Sequence, residues 1–234
     1  MKRLIVGLVC LTALALPAQQ PAPAAAPAQP QPTVTYLFDW PQGIPWTKYS
    51  VEVQSDGKAR FNGTPHADDS NTDTDPVQRD FTMSGANRQK VFELAQKLNY
   101  FQGGDLDAHI KHIAQTGQKT LQYQSPQTHG SATFNWSQNP DVKELAQLFA
   151  GISMTVDYGR KLEFQYRFDK LGMAQRLKEL EGLQADHGVE ELQLITPILR
   201  KIADDPNVMN IARQSAQHLL KTQSPPPTPI YLPR

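Results

Sequence analysis

The sequence predicts an α+β protein in which a mostly antiparallel sheet of about five strands packs on helices, with a long helix and a C-terminal helical hairpin. Within residues 33–138, short segments of alternating large apolar residues and one segment with helical spacing indicate a mainly β domain of the α+β class. From residue 139 to 222 apolar residues recur every 3.5 to 3.6 positions, which indicates a helical region packed on that domain. Because no βαβ units repeat, a doubly wound nucleotide-binding fold is excluded.

The composition limits the classes of function. The chain has 234 residues, of which 39% are hydrophobic, enough to form a core and to exclude wholesale disorder. Its 23 basic and 23 acidic side chains cancel, so the basic surface of a nucleic-acid-binding domain is not expected. After the N-terminal residues, no apolar run is long enough to span a bilayer.

Residues 1–18 have the layout of a secretory signal peptide. Basic residues at positions 2–3 precede the apolar run Leu4 to Leu16, and small residues follow. As a helix this run would span about 20 Å, too short for a hydrocarbon core of about 30 Å. We expect cleavage near Ala18, with Ala15 and Ala24 as alternatives. The mature protein is therefore expected to be periplasmic or extracellular.

Cys10 is the single cysteine of the sequence and lies inside the predicted signal peptide. A lipidated cysteine would tether the mature protein to a membrane, but the preceding residue, Val9, is not small. We expect Cys10 to be lost on cleavage. The mature chain would then have no disulfide, thiol nucleophile or thiolate metal site.

Two proline-rich segments flank the predicted folded region. Residues 19–32 are rich in Pro, Ala and Gln and carry no charge, which predicts a disordered linker. The linker is either a spacer of roughly 50 Å or a leader that only clears the signal peptidase. Residues 223–234 form a second proline-rich tail.

The strand predictions begin at Thr33. Large apolar residues alternate over 34–40, again over 49–53, and again over 59–61. Asp56-Gly57 between the last two runs predicts a hairpin turn with both central residues at positive φ. Residues 77–84 predict a further strand. The side chains expected on the buried face are Tyr36, Phe38, Val51, Phe61, Phe81, Phe134 and Trp136.

A helix and a second hairpin follow. Ser84 is the predicted N-cap of a helix whose apolar residues over 91–98 recur at helical spacing. Alternation over 121–123 and over 132–136 predicts two paired strands. Their connection, Ser125 to Gly130, supplies turn residues.

The next segment predicts a long helix from Pro140 to about Ala185, capped by Asn139. A bend at Gly159 or Gly172 is the alternative to a continuous rod. Two helices, 189–203 and 206–221, follow after Gly188 and form an amphipathic hairpin packed on the long helix or the sheet.

Acidic and basic residues alternate along the long helix. Asp157 precedes Lys161 by four positions, and Glu163 precedes Arg167 by four. This spacing predicts an exposed, salt-bridged helix face rather than an anion-binding surface.

A calcium loop is one interpretation of the acidic segment after the first hairpin. Asp69, Asn71 and Asp73 occupy the first three alternate ligand positions, and Asp80 stands where the last carboxylate belongs. Thr74 replaces the sharp-turn glycine, and an aspartate replaces the usual glutamate. The alternative is a solvated acidic loop between strands.

His109 and His112, with Asp105 and Asp107 nearby, resemble part of a transition-metal site. Histidines three apart on a helix share a face, so both rings could reach one ion. A structural site needs four ligands and no further cysteine or histidine is suitably placed, so exposed polar residues are the simpler interpretation.

Catalytic motifs are absent from the sequence. There is no G-x-S-x-G, H-E-x-x-H or phosphate-binding glycine loop, and His129-Gly130-Ser131 lies at a predicted hairpin turn. The amphipathic helices offer more apolar surface than one sheet covers. We therefore expect an exported, non-enzymatic module that binds another protein or itself in the cell envelope, with no cofactor.

Two alternatives remain open. A secreted carboxylate-dependent hydrolase would need a deep cleft with two acidic groups of perturbed pKa. A calcium-binding extracellular domain would use the ligand set proposed above, which makes calcium the one candidate cofactor.

Overall fold

The computed structural model describes residues 31–67, 75–103, 105–110 and 114–223. The predicted signal peptide, most of the linker and nearly all of the tail lie outside these residues. The strands are β1 (Thr33–Asp39), β2 (Trp46–Gln54), β3 (Lys58–Pro65), β4 (Val77–Thr82), β5 (Gln118–Gln124) and β6 (His129–Phe134). The α-helices are α1 (Gly85–Lys97), α2 (Pro140–Phe168), α3 (Met173–Ala185), α4 (Thr196–Asp204) and α5 (Asn210–Thr222).

All of these strands belong to one antiparallel sheet with the order β4-β3-β2-β1-β5-β6. The predicted α+β class is confirmed, with six strands in place of about five. β1 lies between β2 and β5, where Val34 is opposite both Val53 and Tyr123. The connection through α1 takes the chain from β4 at one edge back to β5, which pairs with β1.

One face of the sheet is apolar and packs against α1 and α2. Val34, Val51 and Phe61 are fully buried there, and the Tyr36 ring stacks on Phe149 of α2 with centroids 5.1 Å apart. The period-2 alternation of the sequence produces this face. Of the residues predicted to point inward, three are only partly buried, namely Phe38, Phe81 and Trp136.

The first hairpin forms where it was predicted, but its turn differs. Only Gly57 has a positive φ, of 94°, and its N–H donates to the Gln54 carbonyl at 2.9 Å. This is the pattern of a longer loop in which one residue adopts the left-handed conformation. The prediction of positive φ at Asp56 was wrong because the loop is not a two-residue turn.

The predicted cap of α1 is confirmed and is reinforced from a distant segment. The Ser84 hydroxyl accepts from the Asn87 N–H at 3.3 Å. The same hydroxyl donates at 2.7 Å to the carboxylate of Glu191, which also accepts from the Ser84 N–H at 2.9 Å. A negative charge at this position favours the helix because the N-terminal end carries positive partial charge.

The predicted single helix over 140–185 is interrupted, so the continuous form was wrong and the alternative break near Gly172 is correct. α2 ends at Phe168, and the Asp169 carboxylate accepts from the Gly172 N–H at 3.1 Å. A side chain at Gly172 would collide with that carboxylate. The short loop lets α3 fold back instead of extending the rod.

Gly159 does not bend α2 but provides space for a crossing segment. A Cβ at Gly159 would overlap the Ile195 side chain, and one at Gly151 would lie 2.8 Å from the Cγ of Glu190. Thr155, between them, donates its hydroxyl to the Glu190 carbonyl at 2.6 Å. Residues four apart share a helix face, so these three form a stripe on which residues 190–195 lie.

The C-terminal hairpin is confirmed, with later helix starts than predicted. Residues 189–191 are not helical: Glu191 is left-handed at φ 58°, and a 3₁₀ turn at Leu192–Ile195 precedes α4. The second helix begins at Asn210 rather than Pro206. The Asp205 carboxylate accepts from the Asn207 N–H at 2.8 Å, which stabilises a turn where a helix start was expected.

The helices form a second core around Leu162, Leu177 and Leu199. α2 belongs to both cores, because Phe149 and Ile152 pack in the sheet core whereas Leu162 packs among the helices. The helical hairpin therefore packs on α2 and α3 rather than on the sheet.

We expect Asp205 to make the protein sensitive to acid. Lys170, at 2.6 Å, and the Asn207 N–H hold the pKa of the Asp205 carboxyl well below its usual range, and the Tyr166 hydroxyl contributes at 3.1 Å. A depressed folded-state pKa adds stability above the unfolded value of about 3.9, and this is lost as the pH falls below it.

In urea unfolding at pH 6 and pH 3, Asp205→Asn should therefore lose less stability between the two pH values than the wild type. Asp204→Asn, which removes the exposed neighbouring carboxyl, is the matched control and should retain the wild-type difference. Equal pH dependence of the Asp205→Asn variant and the wild type would contradict the assignment.

Candidate functional site

A cleft of about 500 Å³ lies between the edge strand β4 and the C-terminal half of α2; we call it the β4–α2 cleft. Its volume falls within the range of ligand sites in proteins. Residues from both elements and from the segment before β4 form its walls, and they are Asp75, Pro76, Val77, Arg79, Arg160, Glu163, Phe164, Arg167 and Phe168.

The sequence periods explain why these side chains meet. Val77 and Arg79 alternate with outward-facing residues of β4 and therefore lie on its helix side. On α2, residues 160, 164 and 167 are three or four apart and lie on one face. No local motif marks the cleft, since its two walls are more than 80 positions apart in the chain.

A buried ionic cluster lies beneath the cleft. Asp157 is 1% exposed, and its carboxylate contacts the Arg160 guanidinium and the Lys161 ammonium, each at 2.9 Å. The Arg160 guanidinium also lies over the Trp46 ring, 5.4 Å from its centroid. The prediction that this part of α2 is a solvated face was wrong, because Asp157 and Arg160 face inward where α2 passes the sheet.

Charged side chains lie at the mouth of the cleft, in the part of the chain that the structure describes. Arg79 contacts Glu163 at 3.4 Å, and both side chains are more than 40% exposed. Exposed pairs of this kind contribute about 0–1 kcal/mol, so a ligand carboxylate could compete for Arg79. Arg167 is a second exposed arginine of the described lining, whereas Arg160 is buried and contacts Asp157.

Exposed aromatic surface lies beside these charges. Phe168 is 71% exposed, and its ring lies 5.0 Å from that of Phe164. Leu171, in the following loop, is 77% exposed. Large exposed apolar side chains next to arginine are typical of residues that anchor a binding partner.

The two edges of the sheet differ. At the β6 edge, Asp105 bridges to Thr133, Ala108 donates its N–H to the Trp136 carbonyl at 2.9 Å, and the Asp107 carboxylate accepts from the Asn135 N–H at 2.7 Å. Within the described residues, β4 pairs only with β3. The β4 edge, next to the cleft, is therefore open in this part of the chain.

A larger cavity of about 580 Å³ lies on the other face of the sheet. Amide and hydroxyl side chains such as Asn62, Thr64, Gln78, Thr120 and Gln122 line it. An antiparallel sheet with one packed face normally presents polar residues to water on the other, and this lining matches that pattern.

The predicted calcium ligands are only partly described. Asp69, Asn71 and Asp73 lie within residues 68–74, outside the described residues. Asp80 lies on β4, where its carboxylate contacts the Arg60 guanidinium at 2.5 Å. Calcium binding by this set, the one candidate cofactor interaction, stays a prediction.

The histidine cluster is also incompletely described. His109 contacts the Asp105 carboxylate at 2.6 Å, which raises the pKa of His109, whereas His112 lies outside the described residues. Asp107 accepts from the His109 N–H at 3.1 Å. Over the described ranges, no group of three or more His, Cys, Asp or Glu side chains is arranged to hold a metal ion.

The structure brings two carboxylates together at Glu190 and Glu191, a pair that the sequence analysis did not single out. The Asn87 side-chain amide donates to both, at 2.9 Å and 2.7 Å. Glu191 is 5% exposed and accepts hydrogen bonds from Ser84 and Gln193 as well. These contacts join α1 to the segment before α4, so the pair has a structural role.

Over the described residues, the fold and the cleft define an α+β protein with one helix-covered sheet face, and with an edge strand, β4, that pairs on one side only beside an arginine- and phenylalanine-lined cleft. No protein-family model matches the chain, and no curated protein matches it significantly. None of the helices in the described ranges has the length and apolar composition needed to cross a membrane.

Proposed function

We propose that the protein is an exported, non-enzymatic module of the cell envelope that binds an extended segment of another protein along β4. The observation that carries this proposal is the position of β4 at an edge of the sheet, where no other described strand pairs with it, beside the β4–α2 cleft. Export is supported by the basic, apolar and small-residue order of residues 1–18.

An open edge and an adjoining pocket have complementary roles in peptide binding. The unpaired backbone groups of an edge strand can hydrogen-bond an added strand, which contributes affinity for any sequence. Pockets for alternate side chains then give specificity. In this protein the side chains of an added strand that point to the helix side would enter the cleft beside Arg79 and Phe168.

The charges on β4 favour a different protein over a second copy. Suppose that two copies pair through antiparallel β4 strands, with the helix sides of both strands on the same face of the joint sheet. Two registers then pair five residues each. One register places Arg79 opposite Arg79 of the other copy, and the other places Asp80 opposite Asp80. Like charges directly opposite one another destabilise a strand pair. Natural edge strands use such charges to prevent self-association.

The same charges specify the partner segment. An acidic side chain opposite Arg79 would lie near Arg167 as well, where it completes a charge-assisted contact. Apolar side chains two positions away would contact Phe164 and Phe168, since alternate residues of a strand share a face. The expected ligand is therefore an extended segment with an acidic residue flanked at alternate positions by apolar ones.

Panning a phage-displayed library of random linear peptides on the chain from Gln19 onward tests the proposal. We expect enrichment of the acidic–apolar alternating pattern. Synthetic versions of the enriched peptides should bind Phe168→Ser and Arg167→Glu about tenfold more weakly in fluorescence polarisation. Ile211→Ser and Arg200→Glu remove similarly exposed side chains from α5 and α4 and should bind as the wild type does.

Enrichment of no pattern, or equal binding by the cleft variants and the wild type, would overturn the proposal. Sedimentation of the protein without added peptide measures whether it is a monomer or a dimer. A monomer agrees with a foreign partner, whereas a dimer that dissociates on Phe168→Ser would identify a second copy as the occupant.

A further inference from the structure

A second pocket, distinct from the β4–α2 cleft, lies between the sheet and the N-terminal half of α2. It measures about 350 Å³, near the lower end of the range for small-molecule sites. Phe38 and Tyr49 form its floor, with ring centroids 5.1 Å apart. We call it the aromatic pocket.

Small side chains keep the pocket open on the helix side. Ala146 and Ala150 of α2 line it, together with Ser153. The opposite wall is the loop that carries Ile44, which is 76% exposed at the rim. The His66 N–H, directly after β3, donates to the Pro45 carbonyl of this loop at 2.9 Å.

Lys119 contributes the pocket's one ionised side chain. Its ammonium lies 5.8 Å from the centroid of the Phe38 ring. It donates to the Asn135 carbonyl at 2.8 Å, to the Thr116 hydroxyl at 3.0 Å and to the Gly117 carbonyl at 3.1 Å. These neutral acceptors fix the position of the ammonium without cancelling its charge.

No carboxylate of the described chain forms an ion pair with Lys119. Burial lowers the pKa of Lys119, and the charge of Asp107, farther away, partly opposes this effect. A partly desolvated cation gains more from an anionic partner than an exposed one does, because the local dielectric is lower. The pocket thus combines apolar aromatic walls with an uncompensated positive charge.

From this combination we infer that the aromatic pocket binds a small aromatic monocarboxylate, whose ring lies on Phe38 and Tyr49 and whose carboxylate faces Lys119. Offset stacking at centroid distances of 4.5–7 Å suits such a ring. The small α2 residues limit the ligand to one or two rings. This site does not depend on the proposed binding of a partner segment at β4.

Titration of the chain from Gln19 onward with phenylacetate and indole-3-acetate, followed by calorimetry and by the indole N–H signal of Trp46, tests the inference. Trp46 lines the pocket, so its signal should move on binding. The matching neutral probes are phenylacetamide and indole-3-acetamide. We expect each carboxylate to bind about tenfold more tightly than its amide.

Two variants test separately the charge of Lys119 and the space beside Ala150. Lys119→Met should remove the preference for the carboxylate and leave weak binding of the amide. Ala150→Leu fills the space on α2 and should abolish binding of both probes; its melting temperature and circular dichroism establish that it is folded. Ala185→Leu, an exposed position on α3, is the matched control.

The inference is overturned if neither carboxylate binds saturably at millimolar concentration, or if acid and amide bind the wild type equally. Binding that survives Ala150→Leu would place the ligand elsewhere and would also overturn it. Because these measurements use only small molecules and the wild type as reference, they are independent of the result at the β4–α2 cleft.

Discussion

Glu191→Gln should lower the free energy of unfolding by about 2–3 kcal/mol, although it keeps the shape of the side chain. The carboxylate of Glu191 is buried and accepts from the Ser84 N–H, the Ser84 hydroxyl and the Asn87 amide at 2.7 to 2.9 Å, and also from Gln193. An amide in its place turns an NH₂ group toward these donors. Hydrogen bonds to charged groups contribute about 1.5–3 kcal/mol, so losing even one of them is measurable.

Urea unfolding monitored by circular dichroism measures this change. Glu93→Gln on α1 is the matched control, because Glu93 is exposed and contacts only the side chain of Gln89 within its own helix. It should stay within about 0.5 kcal/mol of the wild type. If Glu191→Gln changed the stability no more than Glu93→Gln does, Glu191 would not join α1 to the C-terminal helices in solution.

Asp157→Asn should have the larger effect, a loss of about 3–5 kcal/mol, because it breaks a buried ion cluster by removing one partner. The Asp157 carboxylate contacts Arg160 and Lys161, and Arg160 is itself buried against Trp46. The substitution removes the negative charge that contacts both the Arg160 guanidinium and the Lys161 ammonium.

The double variant Asp157→Leu/Arg160→Leu distinguishes the stability lost when one charge is removed from the net contribution of the whole ion pair. Replacing a buried ion pair by apolar side chains is often neutral, so the double variant should regain most of the stability lost by Asp157→Asn. Chemical denaturation of both proteins gives the comparison. A double variant no more stable than Asp157→Asn, or a small loss in the single variant, would contradict a buried cluster.

Features set by neighbouring residues were predictable from the sequence. Ser84 as an N-cap, the alternation that starts at Thr33 and the Asn139-Pro140 helix start all appear in the structure. Each depends on hydrogen bonds or side-chain directions within a few positions, which the chain encodes locally.

Features set by distant contacts were not predictable. Helical periodicity continues through residues 189–191, yet the structure places Glu191 in a left-handed conformation. Its carboxylate there reaches donors on α1 more than 100 positions earlier. Gly159 was an alternative position for a bend for the same reason. The Ile195 side chain that occupies the space beside it is far along the chain, so the local sequence does not indicate the contact.

The candidate site shows the same difference between features set by local contacts and features set by distant ones. Alternation predicted β4 and helical spacing predicted α2, but neither pattern indicated that the two elements lie side by side. The charges of α2 matched the spacing of exposed pairs. The burial of Asp157 depends on how α2 packs against Trp46 and the sheet, and the spacing of charges along α2 does not indicate this packing.

The sharing of α2 between the two cores has a consequence for how the chain can be divided. A fragment ending at residue 138 would lack Phe149 and Ile152, which cover the sheet, and would leave its aromatic face in water. A fragment starting at residue 139 would keep α2 but leave the sheet-facing side of that helix uncovered. Separating the sheet from the helices at this boundary would therefore expose apolar surface on both pieces.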